Sequence, residues 1–164
     1  MSQIEGNAQD ARGPGAVESG RVGRVVALDL GARRIGVAYS DSRRTLASPW
    51  GVVERSGDPV RDHLAVVAVI DEVEACTVVV GLPLSLSGAN GPAAQAALRE
   101  VATLRQTLEP RGITVETADE RFTTVEAQRS LTAAGRKGRA SRSVIDSAAA
   151  MVLLLGWLAG RGRA

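Results

Sequence analysis

The sequence predicts an α/β domain in which a mixed five-stranded sheet carries helices on both faces. Three observations predict it. Aromatic residues make up 2% of the chain and apolar residues 45%, so the core must be built from Val, Leu, Ile and Ala, as in sheets covered by Ala-rich helices. Strand-like runs follow one another closely between residues 24 and 54, as in an antiparallel meander. Beyond them strand and helix patterns alternate, which implies parallel strands joined by crossovers.

Residues 1–22 are rich in Gly, Ala and polar residues without a period, and are expected to form a disordered tail. The remainder, 23–164, fits one domain of about 100–200 residues. Strand one is expected at Arg24–Leu30 and strand two at Ile35–Ser40, joined by a tight turn at GARR, with strand three near Leu46–Glu54. In GDPV, Asp58 is a natural N-cap and Pro59 suits the first helical position. The helix that follows would turn Leu64, Val67, Ile70 (or Val69) and Val73 inward. TVVVGLP is a short apolar strand closed by Gly81 and Pro83, and the next helix would bury Ala94, Ala97, Leu98, Val101, Leu104 and Leu108. ITVETADE is a fifth strand, TTVEAQRSLTAAG a short helix, and SVIDSAAAMVLLLGWLAG a final helix.

Formal net charge is only +2, yet the isoelectric point is about 9.3 and all but one of the cations are arginine. The cations cluster: Arg33 with Arg34, Arg43 with Arg44, and Arg136, Lys137, Arg139 and Arg142 in one loop without acids. Such patches suit a polyanion, although an arginine-rich solvated surface would look the same. One cysteine, Cys76, excludes an intramolecular disulfide, fits a reducing compartment and reads as a buried structural thiol. With a single histidine, His63, it also argues against a zinc site within one chain. The first twenty residues lack the apolar stretch of a signal peptide, and the longest apolar run, 148–159, is too short to span a bilayer. A soluble cytoplasmic protein with no membrane partner is expected.

Three carboxylates stand where carboxylates are costly or suggestive. Asp29 lies inside the apolar run RVVALDL, where a buried acid needs a partner, a hydrogen bond or a metal. It could instead cap the turn at Gly31 through its own backbone. Glu120, with Asp119, lies at the C-terminal end of the fifth strand, where open α/β sheets place their sites. The alternative is an exposed acid pair, with Arg121 as salt-bridge partner. Asp146 sits in the first turn of the last helix, where Ser143-Val-Ile-Asp146 also fits an N-terminal signature that suits the helix dipole. The small residues Ala149 and Ala150 on its face would let that helix approach the sheet closely. If the three converge, their mutual repulsion demands a cation, and oxygen ligands select Mg²⁺ or Mn²⁺. Two such ions about 4 Å apart can clamp a phosphodiester, activating water and stabilising the leaving oxygen. Gly31 would then let backbone or phosphate approach, and Arg33 and Arg34 would meet a nucleic-acid backbone. Glu126 looks like a capping-box partner of Thr123 and stays outside this chemistry.

Four stretches in order, ALDLGARRIGVAYSD, VVVGLPLSLSGANGP, TADERFTTVEA and SRSVIDSAAAMVLLLGWLA, resemble the signature blocks of the YqgF/RuvX family. The likeness spans roughly residues 24–160. These are RNase H-like proteins described as Holliday junction resolvases and as nucleases of pre-16S ribosomal RNA. The resemblance implies an RNase H-like fold with a metal-binding acidic triad, here Asp29, Glu120 and Asp146. It also implies that Gly81 and Pro83, the family's GLP, flank the site, the glycine keeping room for substrate. Phe122 and the SLSG stretch depart from the family pattern without touching the triad. Only three convincing acids are present against the four of the related RuvC resolvases, with Asp119 as an auxiliary candidate.

The resulting expectation is a divalent-metal endonuclease acting on structured RNA, at the 5′ end of pre-16S ribosomal RNA, or on branched DNA. Symmetric cutting of a junction would require a homodimer, for which the sequence shows no self-complementary stripe. The competing reading is a nucleic-acid-binding module that does not cut. A sugar-kinase or actin-type phosphotransferase also opens on Asp-x-Gly, but needs two such domains and a second phosphate loop, for which 164 residues are too few.

Overall fold

The computed structural model describes residues 23–83, 91–120 and 142–161, the side chains of 142–146 excepted. The expected tail, the helix expected at 123–135 and the basic loop at 136–141 lie outside the described residues. The strands are β1 (Arg24–Leu30), β2 (Arg34–Ser40), β3 (Ala47–Glu54), β4 (Ala75–Leu82) and β5 (Thr114–Asp119). The helices are α1 (Pro59–Glu72), α2 (Pro92–Leu108) and α3 (Arg142–Arg161), with a 3₁₀ turn at Glu109–Arg111. The strands form one sheet in the order β3-β2-β1-β4-β5, antiparallel across β3-β2-β1 and parallel across β1-β4-β5. This is the expected mixed sheet.

Strand alternation divides β1 between two cores. Val26 and Leu28 face α1 and α2, together with Val78, Val80, Val101 and Leu104. Val25 and Ala27 face α3, with Val79, Ala150, Leu153 and Leu154. By the same alternation Asp29 belongs to the α3 side, and Leu30 packs with the first core. No described helix is long and apolar enough to cross a membrane.

α1 begins as the sequence predicts, with the Asp58 carboxylate accepting from the Val60 amide at 3.0 Å and Pro59 in the first turn. Its inward face keeps Val69, Ile70 and Val73 as expected, but Asp62 and Val66 take the place expected for Leu64. Asp62, Val66, Val69 and Ile70 are buried, whereas Leu64 is 61% exposed. The stripe can include Asp62 because Ser56 satisfies it, the amide and the hydroxyl each donating to Oδ1 at 2.7 Å. Those two bonds, the amide first, hold the Asp62 carboxyl below its ordinary range. α2 buries Ala94, Ala97, Val101, Leu104 and Leu108 as expected, with Leu98 only half-buried.

The β2–β3 turn is closed by Asp41, whose carboxylate accepts from the Leu46 amide at 2.8 Å and from Thr45 through amide and hydroxyl. Those donors, Leu46 first, lower its pKa. Arg44, left-handed at φ 58°, turns back to donate to the Gly23 carbonyl and the Thr77 hydroxyl, and lies over the Trp157 ring. This guanidinium serves the fold, which corrects its expected place in a polyanion-binding patch. Half-buried Cys76 belongs to the same corner, its thiol 3.5 Å from the Arg24 carbonyl.

Ile70→Ala should cost about 2–5 kcal/mol by cavity formation. Leu64→Ala should stay within about 0.5 kcal/mol. Urea unfolding midpoints of the two variants check the assignment of the α1 face.

Candidate active site

Three parallel strands deliver the site to one edge of the sheet. Leu28 pairs with Val80, so Asp29 and Gly81 are the next residues along β1 and β4. Gly81 in turn pairs with Ala118 and Leu82 with Asp119, and the chain leaves β5 at Glu120. Asp29, Gly81 and Glu120 therefore meet at the C-terminal ends of their strands, on the face that α3 covers.

Gly81 shows how tightly the strand ends are filled. A Cβ there would lie 2.7 Å from Glu120 Oε1 and 3.0 Å from Leu153 Cδ2. The glycine was expected to leave room for substrate; that space holds the Glu120 side chain. Gly31, just after Asp29, is also fixed by crowding, because a Cβ would overlap the Arg34 carbonyl oxygen. The Gly31 amide donates to the backbone carbonyl of Asp29 at 3.1 Å, so the turn is closed by main chain. Pro83 ends the described segment that follows β4.

Asp29 and Glu120 share a hydrogen bond, and Glu120 is pushed up to about 7 from an ordinary 4.5. Burial is the largest cause, followed by the negative charge of Asp29, that hydrogen bond, and the charge of Asp119. Two carboxyl groups held this close share a proton unless a cation replaces it. The charge of Asp119 thus reaches the Asp29–Glu120 pair.

Asp146 lies in α3 one turn before Ala150, and its side chain is outside the described residues. Helical spacing sets it on the stripe of Ala150, Leu153 and Leu154, which packs on the Asp29 face. The far end of that stripe is anchored where the Trp157 indole donates to Glu116 at 3.0 Å and Arg161 pairs with the same carboxylate. With Trp157 beside β5's middle and Leu153 beside Gly81, the helix runs from the carboxylate edge towards the opposite edge, and its first turn lies at the former.

The donor set fits a hard divalent cation: the groups that gather at the strand ends are carboxyl oxygens. His63 lines a cleft on the opposite face, and Cys76 stands at the other end of β4. Among the described residues no three such side chains come together to hold an ion, so the set is complete only with a further ligand such as Asp146.

The arginines divide. Arg33 is exposed on the β1–β2 turn and borders the cleft between α1 and α2. Arg34 pairs with Glu54 at 2.8 Å across the β2–β3 register. Arg136, Lys137 and Arg139, and the side chain of Arg142, lie outside the described residues. Arg55 was not singled out from sequence. Its Nε donates to the Gly31 carbonyl at 2.8 Å, and its Nη2 pairs with Glu100 of α2 at 2.8 Å. The residue following a strand and an acid 45 positions later carry no joint signal.

The family model described as the RuvX Holliday junction resolvase matches residues 23–160. The chain belongs to the RuvX family. It is 45% identical over 154 residues to a protein of Rhodococcus erythropolis named "Putative pre-16S rRNA nuclease", covering 92% of this chain and 85% of that one. A Mycobacterium tuberculosis relative of the same name is 44% identical over 151 residues, covering 91% and 85%. Among solved structures, Thermus thermophilus RuvC in complex with a Holliday junction substrate superposes with TM-score 0.54 at 18% identity, covering 86% of this chain and 97% of that one. The yeast mitochondrial Holliday junction resolvase Ydc2 reaches 0.60 at 11% identity, covering 87% and 80%. These structural likenesses establish the RNase H-like fold, and RuvX membership places the chain among nucleases.

Gly81→Ala should displace Glu120 and weaken Mn²⁺ binding at least tenfold, as isothermal titration calorimetry would report. The raised pKa of Glu120 also has a thermodynamic sign. The folded chain holds this proton more tightly than the unfolded chain, so metal-free stability is full below pH 4.5 and falls as pH rises through about 7. Asp41 and Asp62 titrate below their ordinary 3.8 and leave this window clear. In EDTA, Glu120→Gln should therefore raise the melting temperature at pH 8 by a few degrees and leave it nearly unchanged at pH 4.5, measured by calorimetry.

Proposed function

We propose that this chain is a divalent-metal-dependent endonuclease that cuts phosphodiester bonds in structured nucleic acid, its substrate being the 5′ end of the pre-16S ribosomal RNA precursor. The observation that carries the reading is the Asp29–Glu120 pair, two carboxyl groups sharing a hydrogen bond at the C-terminal edge of the central strands. Structural ion pairs join opposite charges; a like-charged pair beside an acidic neighbour is built for a cation. The RNA assignment follows the names carried by relatives of 44–45% identity. Branched DNA is the second reading, favoured by the family description, and would require two copies of the chain to cut a junction symmetrically. Either activity would take place in the cytoplasm.

Asp29, Glu120 and Asp146 would hold Mg²⁺ or Mn²⁺. A divalent ion so bound supplies a Lewis acid at the phosphodiester and a nucleophile from water at neutral pH. The chain does the rest. β1 and β5 would fix the acids before substrate arrives, so little reorganisation is left for the reaction itself. Asp29, flanked by the fully buried Leu28 and pinned by the Gly31 turn, has little freedom to move. Glu120 must release its proton before the pair can take a cation, so proton and cation compete as pH falls below about 7. Arg33 would hold the phosphate backbone by charge, together with the basic residues 136–142, contacts that position a strand without reading its bases.

Asp29→Asn should lower metal-dependent cleavage of a pre-16S 5′-end transcript at least a thousandfold while leaving its binding within about twofold. Gel assays with Mg²⁺ and with EDTA, beside a four-way DNA junction, check both substrate readings. Absence of cleavage by the parent protein with every divalent metal would favour the non-cutting module.

A further inference from the structure

On the sheet face opposite the acid pair, α1 and α2 stand apart and leave a cleft of about 770 Å³. That is ample for one nucleotide, since small-ligand sites run to about 300–1,000 Å³. Its aliphatic lining is the half-buried Leu30 of β1, backed by the buried Leu28, Ile35 of β2, Val66 of α1 and Leu104 of α2. The helices are tied across it by His63 and Thr107, 2.9 Å apart, and by the Arg111–Asp71 pair, so the cleft is part of the folded frame.

The charges around it are unevenly matched. Each carboxylate that borders the cleft has a partner: Glu54 has Arg34, Glu100 has Arg55, and Asp62 has Ser56. Arg33 and Arg99 are exposed, and among the described residues neither guanidinium has an ion-pair or hydrogen-bond partner. An apolar floor under two uncommitted guanidinium groups is complementary to a group with a flat apolar body and an anionic tail. Unpaired nucleotides have that form, and proteins seat them on apolar and arginine surfaces.

Position links the cleft to the acids. Leu30, the neighbour of Asp29, turns into the cleft while Asp29 faces the other side, and both end at the β1–β2 turn. A strand passing over that turn, along Arg33, would have one phosphate at the carboxylates and its next unpaired base over Leu30. We infer that the α1–α2 cleft seats an unpaired nucleotide of the strand being cut, with Arg33 and Arg99 on its phosphates. The inference rests on the nuclease reading and makes the cleft a selector for substrates with a single-stranded flank.

The test uses the full chain with Ala96→Trp, which fills the cleft from α2, and Arg99→Glu, with Arg99→Lys as the conservative control. Binding of a fluorescent six-nucleotide single-stranded RNA and of a blunt RNA duplex is measured by anisotropy in EDTA. Ala96→Trp and Arg99→Glu should each weaken single-strand binding about tenfold, Arg99→Lys less than threefold, and duplex binding should change less than twofold. With Mg²⁺, KM for a substrate with an unpaired flank should rise about tenfold at unchanged kcat. Circular dichroism melting screens each variant for folding, and the two independent variants guard against one failing. Unchanged single-strand binding in a folded variant overturns the inference. So does an equal loss for duplex, which would mean general charge attraction. AMP binding as tight as the six-nucleotide RNA would make this a free-nucleotide site, and displacement of nothing but a Glu-rich peptide would make it a protein-docking groove; either overturns it. The arms without metal test the cleft alone, so failed cleavage by the parent protein would count against the nuclease reading separately.

Discussion

Two carboxyl groups that repel one another are held in contact by a sheet that gives neither of them room to leave. Asp29 follows the fully buried Leu28 near the end of a central strand, and Glu120 is laid across the bare Cα of Gly81, with Leu153 of the covering helix behind it. The electrostatic cost of this arrangement is visible as a proton that Glu120 releases only near neutrality. Hydrophobic burial on both faces of β1 supplies the opposing free energy. The cation chemistry proposed for the edge is the release of that conflict.

Much of this was legible in the sequence because its signals were local. A carboxylate inside an apolar strand is anomalous wherever it occurs, and strand ends in α/β sheets are where such anomalies become sites. The Asp58–Pro59 start of α1 and the succession of strands along the chain likewise follow from short-range chemistry. What escaped depended on distant pairing. In the first turns of α1, counting apolar residues favours Leu64, whereas Asp62 is buried there because Ser56 satisfies it; Val69, Ile70 and Val73 turn inward as their spacing implies. Arg55 and Glu100 lie 45 residues apart, with α1 and β4 between them. The role of Gly81 was inverted for the same reason, since nothing local announces that a side chain from beyond β5 will lie over it.

The arginines show how misleading a count of charges can be. Arg34, Arg44 and Arg55 are engaged by Glu54, by backbone and hydroxyl oxygens, and by Glu100 respectively, and each joins segments far apart in the chain. Arg33 and Arg99 stand out against that background, because a guanidinium left uncommitted beside an apolar cleft is the exception in this fold. A basic isoelectric point therefore reflects two populations, one internal to the architecture and one facing outward.

The long covering helix also works as a lever. It is gripped at Trp157 and Arg161, and Asp146 lies eleven residues away, about 16 Å along the axis. A tilt of about 5° at the gripped end would swing the Asp146 end by roughly 1.5 Å, more than the few tenths of an ångström that the coordination proposed for it would tolerate. The proposed coordination would thus depend on an indole and a guanidinium at the other end of the helix, residues that no inspection of the acids alone would connect to them.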